Sequence, residues 1–85
     1  MEPVYYNLEY LAGGSKHFIV RHSDKGLEVL NNRVMTPEKL KLSFKDGKLR
    51  APGFKYRAYS EAEARKLFSD DISMILYAEG IGINS

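Results

Sequence analysis

Two histidines, eleven carboxylates and thirteen lysines and arginines carry whatever chemistry this 85-residue chain can do. The histidines are His17 and His22. At that odd spacing on a strand their side chains leave from opposite faces, so one strand cannot bring both to a metal ion. They are expected as surface or packing residues. The carboxylates pair twice along the chain, as Glu61/Glu63 and Asp70/Asp71. Acid–base or metal chemistry needs acids that converge in a cleft. Glu61 and Glu63 instead sit where a helix begins, and Asp71 stands where it could cap the next element. Gly-x-Ser-x-Gly is absent from the sequence, so no nucleophile elbow marks a serine. Gly13-Gly14-Ser15-Lys16 lacks the spacing of a P-loop and reads as a turn, with a small anion nest as its alternative. With no cysteine there is no thiolate metal site and no disulfide framework. No catalytic, cofactor-binding or metal-ligating residue is assigned, and the chain is expected to be non-enzymatic and to need no cofactor.

The cations stand out. All 13 lie between Lys16 and Lys66, where six acids leave a net charge of +7; the segment before carries −2 and the one after −3. Between Lys39 and Arg57 seven cations meet a single acid, Asp46. Such a cluster is an electrostatic footprint for an anionic partner.

A hairpin is the element that would position them. Leu40, Leu42 and Phe44 alternate with Lys39, Lys41, Ser43 and Lys45, a strand period. Asp46-Gly47 suits a type I′ turn, in which both central residues take positive φ. A two-residue loop pairs Lys45 with Lys48, Phe44 with Leu49, Ser43 with Arg50 and Leu42 with Ala51, so apolar faces apolar. Pro52-Gly53 ends the second strand. Phe54, Tyr56 and Ala58 then share one face of a third, with Lys55, Arg57 and Tyr59 on the other. If the three strands form one sheet, Lys41, Lys45, Lys48, Arg50, Lys55 and Arg57 line one side as nucleic-acid or anion contacts, with Tyr59 as a stacking platform. A solvated sheet face is the competing account of the same lysines.

Ser60-Glu61-Ala62-Glu63 is a capping box. Two acids at its start, Arg65-Lys66 further on, and the stripe Ala64, Leu67, Phe68 predict a helix over about 61–70. Its stripe is expected against Leu42, Phe44, Leu49, Phe54 and Tyr56. Val4 to Tyr10 alternates as a strand, although residues 3–12 also fit a helix begun by Pro3; Val-Tyr-Tyr favours the strand. Residues 17–22 read as a strand, residues 27–30 as a short strand or helical turn, and residues 72–79 as helix or strand. Residues 80–85 are expected as a flexible tail.

Tyr5, Tyr6 and Tyr10 give a second signal. Tyrosines outside the core suit an interface with a protein partner or a second copy. Eighty-five residues, 44 % of them apolar, fit one small ordered domain. No segment is apolar enough to span a membrane and the start lacks a signal-peptide pattern, so a cytoplasmic setting is expected. The fold expected is α+β: an antiparallel sheet or meander of about four to six strands with a helix on one face. The function expected is a nucleic-acid-binding or regulatory module, acting on DNA or RNA through the basic sheet face. A protein-interaction module built on the tyrosines is the alternative.

Overall fold

The computed structural model describes residues 1–79, so the expected tail lies outside the described residues. The chain runs β1 (Val4–Tyr10), β2 (His17–Ser23), β3 (Gly26–Val29), β4 (Ser43–Lys45), β5 (Lys48–Arg50), β6 (Phe54–Ser60), α1 (Glu61–Leu67) and α2 (Ser69–Ala78). It is α+β, with a four-stranded antiparallel sheet in the order β3-β2-β1-β6 and a separate β4-β5 ribbon.

The central strands β1 and β2 need cover on both sides. Phe18, Ile19, Val20 and Arg21 are buried in succession. Successive strand residues face opposite ways, so such a run is buried on both faces. On one side Tyr6, Leu8, Phe18 and Val20 pack with Leu40 and Leu49. On the other, Tyr5 and Ile19 pack with Ala64, Ile72 and Leu76. The molecule is thus three layers: ribbon with its flanking chain, sheet, helices.

Three expectations are corrected. First, β6 does not extend the hairpin into a three-stranded sheet; it pairs with β1, Tyr5 opposite Tyr59 and Leu8 opposite Tyr56. The turn through Gly53, whose φ is 84°, redirects the chain, and the Leu11 N–H donates to the Gly53 carbonyl at 2.9 Å. Second, the helices do not cover Leu42, Phe44, Leu49, Phe54 and Tyr56. These belong to the opposite side of the sheet, where Phe54 meets Tyr10 and Phe18 with ring centroids 4.7 and 5.9 Å apart. Third, the alternation at Lys39–Leu42 is not strand. Leu40, Lys41 and Leu42 donate back to Thr36, Glu38 and Pro37 carbonyls in a tight turn, with Lys41 at φ 58°.

The hairpin has the expected register over three pairs, Lys45 opposite Lys48, Phe44 opposite Leu49 and Ser43 opposite Arg50, but the expected Leu42–Ala51 pair is not made, because the Leu42 N–H turns back to the Pro37 carbonyl. Asp46 and Gly47 both take positive φ, 53° and 75°. Helix α1 starts on the expected capping box: Ser60 Oγ accepts from the Glu63 N–H at 3.2 Å, and the Glu63 carboxylate accepts from the Ser60 N–H at 2.9 Å. The expected helix over 61–70 breaks at Phe68, whose backbone leaves the helical region while its ring packs on Tyr59. Residues 72–78, open between helix and strand, are helical, and α2 buries Ile72 and Leu76 one turn apart.

Candidate functional site

The ribbon sorts its side chains by layer. Phe44 and Leu49 face the sheet, and Leu49 is 4 % exposed. Ser43, Lys45, Lys48 and Arg50 are exposed, and by strand alternation they form the outward face. Asp-Gly fixes this arrangement, and a one-residue slip would turn one of the apolar pair outward. Lys45 and Lys48 therefore stand directly opposite each other. Like charges in that position destabilise a sheet. Asp46 is the one acid in the ribbon, and it occupies the turn. Among the described residues, none of Lys39, Lys41, Lys45, Lys48, Arg50, Lys55 and Arg57 makes a salt bridge.

The six expected contacts do not share one sheet face. Lys45, Lys48 and Arg50 lie on the ribbon, and Lys41 is exposed in the turn before it. Lys55 and Arg57 lie on β6, opposite Glu9 and Asn7 of β1. That is the helix side of the sheet, shared with Tyr5 and Tyr59, while the ribbon covers the other side. The Arg57 charge also reaches α1. The Glu63 carboxyl is held below its usual range, first by the Ser60 N–H and hydroxyl and then by Arg57.

Tyr59 does not stand out on the surface as expected. It is half-buried in the helix-side core, edge-on to Phe68 at 5.0 Å. Tyr5 and Tyr6 are buried, at 0 % and 7 % exposed, and Tyr10 is half-buried against Phe54 and Phe18. Cover on both faces of β1 is what removes them from the surface. The exposed tyrosines are Tyr56 and Tyr77. Sequence reasoning passed over Tyr56 because it alternates with Phe54, as a core residue would. Its hydroxyl donates to the Leu49 carbonyl at 3.0 Å, fastening β5 to β6. Beside it an open groove of about 440 Å³ is lined by Lys48, Leu49, Arg50, Ala51, Pro52 and Tyr56.

The remaining reactive groups are engaged elsewhere. His17 faces the helices and lies 3.3 Å from Asp71, whereas His22 faces the ribbon layer and stacks on Phe44 at 4.0 Å. Glu61 pairs with Arg65. Among the described residues, no group of three or more histidines or carboxylates is gathered as a metal would require. The buried charge is Arg21, which the sequence did not single out. It donates to Glu28 at 3.2 Å and Glu79 at 2.6 Å, joining β2 to β3 and to the end of α2. Burial works to lower its pKa, but the Glu79 and Glu28 carboxylates outweigh it and raise the value, so the guanidinium stays charged. A lone arginine between two such elements would have been legible only with the pairing known.

No described helix is long and apolar enough to cross a membrane. Compared with known proteins, the chain matches no family model, no curated protein and no solved structure.

Proposed function

We propose that this protein is a non-enzymatic module that binds nucleic acid through its phosphates, using the outward face of the β4-β5 ribbon. The observation that carries the reading is the Lys45–Lys48 pair. Two cations held opposite each other cost stability, and no ion pair offsets that cost among the described residues. A phosphate bridging them would turn the repulsion into two charge-assisted contacts. Arg50 and the Ser43 hydroxyl extend the same face, and a two-stranded ribbon is a shape that a major groove accepts. Lys41 is a flanking contact. Lys55 and Arg57 belong to the reading only for a nucleic acid long enough to pass round the β6 edge.

The test is a titration of labelled duplex and single-stranded oligonucleotides at several salt concentrations. Three phosphate contacts on duplex DNA give a log–log salt slope of about −2.7. Binding that is absent at low salt, or unchanged by salt, refutes the proposal.

A further inference from the structure

The strand order leaves β6 at one end of the sheet, and among the described residues no third strand pairs with its outer side. At seven residues it is longer than β3, the other edge, which has four. Lys55, Tyr56, Arg57 and Ala58 are all exposed. A strand of this length, with no proline and an open row of N–H and C=O groups, is a template for another chain.

We infer that the outer edge of β6 takes an extended acidic segment of a partner protein as an added antiparallel strand, in the pattern acid–apolar–acid. An added strand places side chains beside Lys55 and Arg57 on the helix side, at alternate positions. On the β1 side Lys55 stands opposite Glu9 and Arg57 opposite Asn7, the Arg57 charge is also felt by Glu63, and among the described residues neither cation makes a salt bridge. The outer side of each is open to a partner's acid. The residue between those acids points to the other face. There it meets the groove of Leu49, Ala51, Pro52 and Tyr56, with Lys48 and Arg50 at its rim. Hence the apolar middle position. A second copy of this chain does not fit, because the fully overlapping antiparallel register sets Arg57 against Arg57. The same charge that prevents self-pairing selects an oppositely charged strand.

This inference does not rest on the nucleic-acid reading, and it fails separately from it. The probe is a short fluorescent peptide alternating glutamate and valine, followed by anisotropy and by amide NMR of the full chain. The expected result is binding, with shifted and exchange-protected amides at 55–59. Arg57→Glu lowers the affinity about tenfold and admits the peptide that alternates lysine and valine. Methylating alternate peptide nitrogens, which leaves the protein untouched, abolishes binding. The inference is overturned if no binding is seen, if the methylated peptide binds as well, or if the shifts fall on residues 45–50 only. It is also overturned if oligothymidylate shifts the β6 amides and the acidic peptide does not. Lys45→Gln separates the two ideas: it weakens oligonucleotide binding and leaves the peptide affinity unchanged.

Discussion

Replacing Lys48 by glutamate is expected to stabilise the fold while weakening nucleic-acid binding. Lys48 faces Lys45 across the tightest part of the hairpin, beside the Asp46-Gly47 turn. Cross-strand Cβ atoms in such a pair are about 5 Å apart. Two unit charges at that distance in a water-like dielectric repel by about 0.8 kcal/mol, and flexible lysine tips relax part of it. Lys48→Gln removes the repulsion and gains about 0.5 kcal/mol. Lys48→Glu replaces it with attraction and gains about 1 kcal/mol. For a chain of this length the second figure raises Tm by about 4–8 °C. The gain belongs to exposed charges, so it fades as salt shortens the Debye length to about 3 Å at 1 M. Binding moves the opposite way: one phosphate contact is lost, and the salt slope on duplex DNA flattens by about 0.9. Thermal unfolding at low and high salt, paired with oligonucleotide titrations of the same variants, reads both effects. A Lys48→Glu protein that is less stable, or that binds DNA with the wild-type salt slope, refutes the reasoning.

Other expectations concern the covers of the sheet. Leu49→Ala empties a 4 %-exposed position in the ribbon-side core; it should cost about 2–4 kcal/mol in urea unfolding, and a cost below about 1 kcal/mol would mean the ribbon is not packed as described. Ser60→Ala removes the side-chain cap of α1 and should cost about 1 kcal/mol at neutral pH. Because the folded-state pKa of Glu63 is depressed, its contribution is present above the unfolded carboxylate value and is lost as pH falls through the folded one. Glu63→Gln should therefore be less stable than wild type at neutral pH and indistinguishable from it in acid; a difference that persists in acid contradicts the charge-based account.

Legibility in the sequence followed the range of the interaction. The Asp46-Gly47 turn and the Ser60–Glu63 box are set by residues within a few positions of each other, and both were readable with their atomic pairing. Alternation along 54–59 told which side chains share a face but not which strand lies beside them. Gly53 and the Leu11 N–H decide that, and only the folded chain brings them together. The side of the sheet taken by the helices was equally hidden, because Val4, Tyr5, Tyr6 and Leu8 offer apolar surface to both faces. From that one ambiguity came the wrong exposure of Tyr5, Tyr6 and Tyr59, and the single basic face that the structure divides between a ribbon and an edge. Within the ribbon, where position follows from the turn, the outward placement of Lys45, Lys48 and Arg50 was read correctly.

The sheet order has a consequence for a chain made from its N-terminus. Strands β1, β2 and β3 are joined by short turns and can pair as soon as they emerge. β1 is central in the finished sheet, yet its second side stays open until residues 54–60 have been synthesised. Throughout that interval a strand bearing Val4, Tyr5, Tyr6, Leu8 and Tyr10 presents a largely apolar edge, with Glu9 its one charge, to every nearby nascent chain. β6 ends that exposure and substitutes an edge carrying Lys55 and Arg57. Its charges thus act as a closing guard, placed last on the side of the molecule most prone to stick.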